Sequence, residues 1–223
     1  MIPEDQIELL VEKYIKHGQT IGIGSSELGI KFLKKMALRK EIEGLDLKIV
    51  PTSAEITFIL KQLNLEIGSL DEKEVDVAIE FADLVDYNYN YIKRDSKSFV
   101  RDKMIAQSAK DLIIIARKQN FVSKLFGVVP FEVSPFWWKR TKMQLESMGA
   151  ARERKTNESL TKTESGNYVI DVLTDSIPFP EEFEFQAKEI PGVLETGLFV
   201  GYADRILLYE KGKIEVKSRI GKE

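Results

Sequence analysis

The segment "DLIIIAR" at 111–117 constrains the fold more than any other stretch of this chain, because its apolar run, Leu112 to Ala116, is unbroken. A strand with one wet face alternates polar and apolar residues, whereas an unbroken run is covered on both faces, as inside a parallel sheet. Parallel strands need long crossover connections, usually helices. The preceding sequence supplies them. Residues 4–17 place Ile7, Leu10, Val11, Tyr14 and Ile15 at helical spacing. "TIGIGSSELG" then reads as a short strand, a Gly/Ser turn and the start of a helix running to about Met36. "DLKIVPTSAEITFILKQLN" repeats the scheme, with a strand over 46–50, a turn at Pro51 and Ser53, and a helix over 54–63. A strand over 75–80 and a helix over 97–109 lead into "DLIIIAR". This alternation predicts an α/β fold with a doubly wound, mostly parallel, Rossmann-like sheet.

The pattern changes near residue 129. "VVPFEVSP" reads as a strand, "FWWKRTKMQLESMG" as a helix, and "ARERKTNESL" and "NYVIDVLT" as strands. "PEEFEFQAKEI" is a short helix, and "GLFVGYADRILLYEKGKIEVKS" closes the chain with strands. The expected division is an α/β domain over 1–128 plus 199–223 and a small α+β, ferredoxin-like domain over 129–198. Trp137 and Trp138 are expected to pack the small domain, and His17 to cap the end of its helix.

Composition narrows the function classes. The 33 Lys and Arg against 36 Asp and Glu leave a net charge of −3, which offers no basic surface to a nucleic-acid backbone. No apolar run reaches the roughly 18 residues of a membrane span, and the amphipathic, acid-bearing start is unlike a signal peptide, so a cytoplasmic protein is expected. With no cysteine, disulfides, thiolate metal sites and a cysteine nucleophile are excluded.

Open α/β sheets bind ligands at the carboxyl ends of their strands. The loops there span 22–28, 51–55, 80–86 and 93–102. In "EVDVAIEFADLVDYN" a strand ends in Glu80, with Asp83 and Asp86 following at three-residue spacing. Clustered carboxylates repel, so this is either a solvated strand end or a site that uses the acids. "GIGSSE" is either a phosphate cradle before a helix or a tight turn with Ser25 or Ser26 as N-cap. In "PTSAE", Ser53 is a good N-cap, and Thr52 or Ser53 could meet a ligand. Arg101, Asp102 and Lys103 read most simply as a surface charge run.

Seven segments in order carry a resemblance: "GIGSSEL", "VPTS", "DVAIEFADLVD", "KRDSKSFVRDK", "PFEVSPF", "GNYVIDV" and "GVLETGLF". Together the chain resembles the A-type ribose-5-phosphate isomerases over essentially its whole length. The resemblance implies interconversion of ribose 5-phosphate and ribulose 5-phosphate through an enediol, without metal or other cofactor. It implies Asp102 as the proton-shuttling base and Glu80, Asp83 and Lys93 as its helpers. Ser25, Ser26, Thr52, Ser53, Arg94, Lys97 and Lys118 are the implied substrate and phosphate ligands. A small-molecule sugar phosphate is the implied partner, with assembly as a homodimer or homotetramer through the small domain. Abstracting a carbon-bound proton needs a positioned base, and the enediolate needs a cation or donors aimed at it.

The chain departs from the family pattern at particular places. Asp102 stands where the family has glutamate, and Glu80 where it has aspartate. Phe81 replaces a glycine. Ser25 to Leu28 replace "TGST", and Arg94 to Lys97 replace a run of glycines. A non-catalytic homologue that binds another sugar or a protein partner is the competing reading.

Overall fold

The computed structural model of the chain describes residues 2–219. Met1 and residues 220–223, the two ends of the expected first domain, lie outside the described residues. In chain order the elements begin with α1 (Glu4–Tyr14), β1 (Gln19–Ile23), α2 (Glu27–Glu43), β2 (Leu47–Val50), α3 (Ala54–Gln62) and β3 (Glu66–Ile67). They continue with β4 (Val77–Phe81), β5 (Leu84–Asp86), β6 (Tyr91–Ile92), α4 (Phe99–Ser108), β7 (Asp111–Arg117), β8 (Phe121–Val122) and β9 (Leu125–Val133). Next come α5 (Trp138–Leu145), β10 (Ala150–Glu153), β11 (Lys155–Thr156), β12 (Ser159–Leu160) and β13 (Tyr168–Ile177). The chain ends with α6 (Pro180–Lys188), β14 (Val193–Thr196), β15 (Leu198–Phe199), β16 (Arg205–Glu210) and β17 (Lys213–Ser218).

Two compact units form, one from 1–81, 104–118 and 203–223, the other from 82–103 and 119–202. These boundaries differ from the expected ones. Residues 82–103, 119–128 and 199–202 go with the second unit, because β5, β6, β8 and β15 pair with one another in a sheet of their own.

The first unit holds a seven-stranded sheet in the order β17-β16-β7-β4-β1-β2-β3. Every neighbouring pair is parallel except the β16–β17 hairpin. β7, the "DLIIIAR" segment, lies between β4 and β16, and Leu112 to Ala116 are all buried, as an unbroken apolar run requires. α2 runs past Met36 to Glu43, stopped by Gly44 in the left-handed conformation (φ 67°). Gly22 has no side chain because Ile105 of α4 packs against β1: a Cβ there would come 2.5 Å from Ile105 Cγ2.

Gly29, inside α2, is tighter still: a Cβ would stand 2.2 Å from the backbone oxygen of Gly24. Neither backbone can yield cheaply. Gly29→Ala is expected to cost about 2–3 kcal/mol despite alanine's better helix propensity. Thermal unfolding should fall by roughly 5–10 °C, and an unchanged midpoint would refute the clash.

Asp76, just before β4, accepts from Lys73 (2.8 Å), Lys110 (2.9 Å) and the Thr20 N–H (2.9 Å). Burial works against its ionisation, but these donors outweigh it and hold the carboxyl well below its ordinary range. An unfolded aspartate takes its proton near pH ~3.9. The stabilisation from Asp76 is therefore complete above that pH and is lost as pH falls toward the lower folded value. Asp76→Asn should cost about 1–2 kcal/mol at neutral pH, and the gap between the melting temperatures of the two proteins should begin to close as pH falls below about 4 and keep narrowing with further acid. A constant gap across that range would contradict this assignment.

The second unit contains an antiparallel sheet in the order β10-β13-β9-β14, which carries α5 and α6, the α+β arrangement expected for the small domain. Its core is built from alternate residues of the two long strands, including Val129, Phe131 and Val133 of β9 and Ile170 and Val172 of β13. Trp138 packs edge-on against Tyr168, with ring centres 5.9 Å apart. Trp137 does not pack into the core: it is 73% exposed, with a left-handed backbone (φ 51°) at the start of α5, and meets the exposed Phe136 edge-on with ring centres 5.9 Å apart. His17 accepts the Asp46 N–H on Nδ1, at 3.2 Å, rather than meeting its own helix.

Candidate active site

Asp83 and Asp86, the two acids of the second unit that follow β4, serve separate turns. Asp86 is a turn residue: Oδ1 accepts the N–H groups of Asn88 and Asn90, and Oδ2 the Asn90 amide. Asp83 accepts the Arg94 N–H at 2.7 Å and so holds the 93–98 loop in place. Glu80, the penultimate residue of β4, is buried in the first unit, where a Cβ on Gly24 would meet its Oε2 at 2.5 Å. The absence of that Cβ makes room for the longer acid. Phe81 finds its space in the same way: its ring lies against both Gly24 and Gly29 and packs on Phe32. It joins the core of the first unit.

In the second unit Asp102 sits in the first turn of α4 and is 1% exposed. The surface-charge reading of Arg101 to Lys103 holds only for the half-buried Arg101, 3.7 Å from Glu164. Asp102 Oδ2 receives Lys93 Nζ at 2.6 Å and Ser96 Oγ at 2.5 Å. Both bonds fall on one oxygen. Oδ1 takes no hydrogen bond among the described residues. The arrangement is a buried carboxylate anchored through one oxygen and open at the other.

Lys103 points elsewhere. It is 5% exposed and reaches Glu184 (2.5 Å), Glu195 (2.6 Å) and Thr196 Oγ1 (3.3 Å), with its ammonium 5.2 Å from the Phe199 ring centre.

The residues expected at the phosphate divide in the same plain way. Ser26 caps α2 by accepting the Gly29 N–H, and Ser53 caps α3 by accepting that of Ile56. Ser25 Oγ lies 2.8 Å from Thr52 Oγ1 and 3.2 Å from Ser53 Oγ, which joins the two loops after β1 and β2 into a hydroxyl cluster. Arg94 is committed to backbone, donating to the carbonyls of Phe126 and Val128 at 3.3 Å each. Gly127 between them has φ 86°, and a Cβ there would strike the guanidinium at 2.9 Å. Lys97 is exposed in the second unit. Lys118 pairs with Glu215 at 3.0 Å, half exposed. Its neighbour Arg117 instead lines a cavity of about 370 Å³ in the first unit, with Ser26, Glu27, Lys31 and Tyr209. Two cations at the start of a helix suit an anion, whereas Glu27 opposes one.

Ser96, Lys31 and Arg117 were not legible as site residues. Ser96 occupies a position where the family has glycine, and only the fold turns its hydroxyl to Asp102. Among the described residues no group of three or more His, Asp or Glu is placed to hold a metal. Among the described residues, no helix is long and apolar enough to cross a membrane.

A family model for ribose 5-phosphate isomerase A (phosphoriboisomerase A) matches residues 48–213. Ribose-5-phosphate isomerase A 1 of Oceanobacillus iheyensis is 32% identical over 206 residues, 91% of this chain and 92% of that protein. The isomerase A of Methanothermobacter thermautotrophicus is 33% identical over 197 residues, 86% of this chain and 87% of its own. Among solved structures, ribose 5-phosphate isomerase A from Methanocaldococcus jannaschii matches with a TM-score of 0.88 at 26% identity, over 97% of this chain and 98% of that one. A D-ribose-5-phosphate isomerase in complex with phospho-erythronic acid matches with a TM-score of 0.89 at 27% identity, over 97% of each chain.

Proposed function

This chain belongs to the ribose 5-phosphate isomerase A family, and from that premise we propose that it interconverts ribose 5-phosphate and ribulose 5-phosphate through an enediol. Asp102 removes the proton from C2 of the open-chain aldose, and the C1 carbonyl oxygen takes up the charge of the enediolate. The protonated Asp102 then delivers its proton to C1 while the proton on O2 passes to O1, which leaves the ketose. Lys93 holds Asp102 through Oδ2 and offsets enediolate charge as it develops. Asp83 assists with hydroxyl protons, a part the family resemblance gives it together with Glu80.

The observation that carries this reading is the division of labour on Asp102: Oδ2 is held by Lys93 and Ser96, and Oδ1 is the oxygen left to act as base. A general base needs geometry of this kind before it needs any tuning. The test is turnover of ribose 5-phosphate in D₂O, followed by NMR. Ribulose 5-phosphate carrying deuterium at C1 is the expected product, because the base exchanges its proton with solvent while the enediol persists. Neither ketose nor exchange would end the enzyme reading. The presence of Glu27 in the cavity with Lys31 and Arg117 favours the competing non-catalytic homologue, which predicts that null result. Self-association through the second unit is proposed on its exposed Phe136, Trp137, Phe179 and Phe185, and light scattering would measure it.

A further inference from the structure

Glu132, in the middle of the "PFEVSPF" segment, is fully buried, and the chemistry above makes no use of it. No cation pairs with it among the described residues. Its carboxyl oxygens are held by hydrogen bonds alone. Oε1 accepts from Thr163 Oγ1 and Asn167 Nδ2, both at 2.8 Å, and Oε2 from Ser98 Oγ at 3.3 Å and the Val100 N–H at 3.2 Å. A buried carboxyl group is costly unless its oxygens are bonded, and here four donors from three segments converge on one side chain. Val100 lies in the first turn of α4, where unpaired N–H groups and the helix dipole favour a negative charge.

The bonds continue in one direction. Ser98 Oγ gives its only proton to Glu132, which leaves the oxygen to accept the Arg101 N–H at 3.3 Å and so cap α4. The Ser98 N–H donates to Ser96 Oγ at 3.0 Å, and Ser96, having accepted that bond, points its own proton at Asp102 Oδ2. The Asp102 N–H in turn donates to the Ser98 carbonyl at 3.1 Å. We infer that Glu132 is a positioning residue, which fixes the 96–98 loop and the first turn of α4 so that Asp102 is anchored through Oδ2 and presents Oδ1. The "GNYVIDV" segment contributes through Asn167, so two segments that carried the family resemblance without an assigned role meet at one carboxylate.

This inference rests on the reading of Asp102 as the base. Glu132→Gln keeps the volume but sets an NH₂ group against either the Val100 N–H, which cannot accept, or the Asn167 NH₂, which must turn over to offer its oxygen. The loop should shift. A displacement of the base by a fraction of an ångström to about 1 Å lowers kcat roughly 10- to 100-fold, while KM moves less than about threefold because the base adds little to ground-state binding. Combined with Ser96→Ala, the loss should be far less than the product of the single losses, since both variants release the same oxygen. An unchanged kcat in folded Glu132→Gln, or fully multiplicative losses, would overturn the inference. If Glu132→Gln does not fold, Ser98→Ala removes only the hydroxyl between Glu132 and the loop, with about a tenfold fall in kcat expected and no fall overturning it. If the wild type itself shows no turnover, the isomerase reading fails separately. The crystal structure of Ser98→Ala then decides: Ser96 turned away from Asp102 supports the positioning role, and an intact Ser96–Asp102 bond overturns it.

Discussion

Asp102→Asn is expected to lower kcat for ribose 5-phosphate by about 10³-fold or more, in the range a lost general base costs, with the fold retained. Asparagine preserves the volume of the side chain, and its carbonyl oxygen can still receive Lys93 and Ser96, the two donors that hold Oδ2 at 2.6 and 2.5 Å. The amide nitrogen then occupies the place of Oδ1, where it has no lone pair for a carbon-bound proton. Substrate affinity should change little, because the lost interaction exists only in the transition state. The measurement is steady-state kinetics beside circular dichroism. A folded variant that keeps a tenth or more of wild-type turnover would remove Asp102 from the mechanism. The shorter acid is one departure from the family pattern and Ser96, in place of a glycine, is another; the Ser96 hydroxyl meets the Asp102 carboxylate.

The largest expected loss of stability is at the next residue. Lys103→Met places an apolar chain of similar length beside Glu184 and Glu195, whose side chains are 19% and 18% exposed. Glu195 keeps Lys188 at 2.5 Å, but Glu184 loses the ammonium. Removing one partner of a buried ion network costs about 3–5 kcal/mol, which for a chain of this size lowers the melting temperature by on the order of 10 °C. The double variant that adds Glu184→Gln should recover most of that loss, because Glu195 keeps Lys188 and no unpaired carboxylate remains. A drop of under about 1 kcal/mol in the single variant, the worth of a surface pair, would mean that Lys103 is solvated in solution.

These two neighbours show where reading the chain in one dimension stops. "RDK" is three charges in a row, and local pattern assigns such a run to the surface. Helical geometry sends Asp102 and Lys103 in directions about 100° apart, each into a different buried network. The partners of Lys103 lie 81 and 92 positions further on. The acidic turn after β4 misleads for a related reason. Glu80, Asp83 and Asp86 are close in sequence, yet one faces Gly24, one holds the Arg94 N–H, and one builds its own turn.

Arg94 makes the converse point. A cation among lost glycines invites a phosphate, but two carbonyls beside Gly127 claim it. Hydrogen-bonding capacity is readable from residue type, whereas the group that uses it depends on which backbone passes nearby.

The amino-acid sequence alone determined the order of strands and helices, the parallel sheet around 111–117 and the family, since periodicity and ordered motifs are properties of the chain itself. Only the tertiary structure decided that Asp102 is tied by one oxygen, that Lys103 is buried and that Glu132 stands under the helix carrying both. Bonds between residues tens of positions apart leave no local period, and a carboxylate takes its role from the donors that folding brings to it.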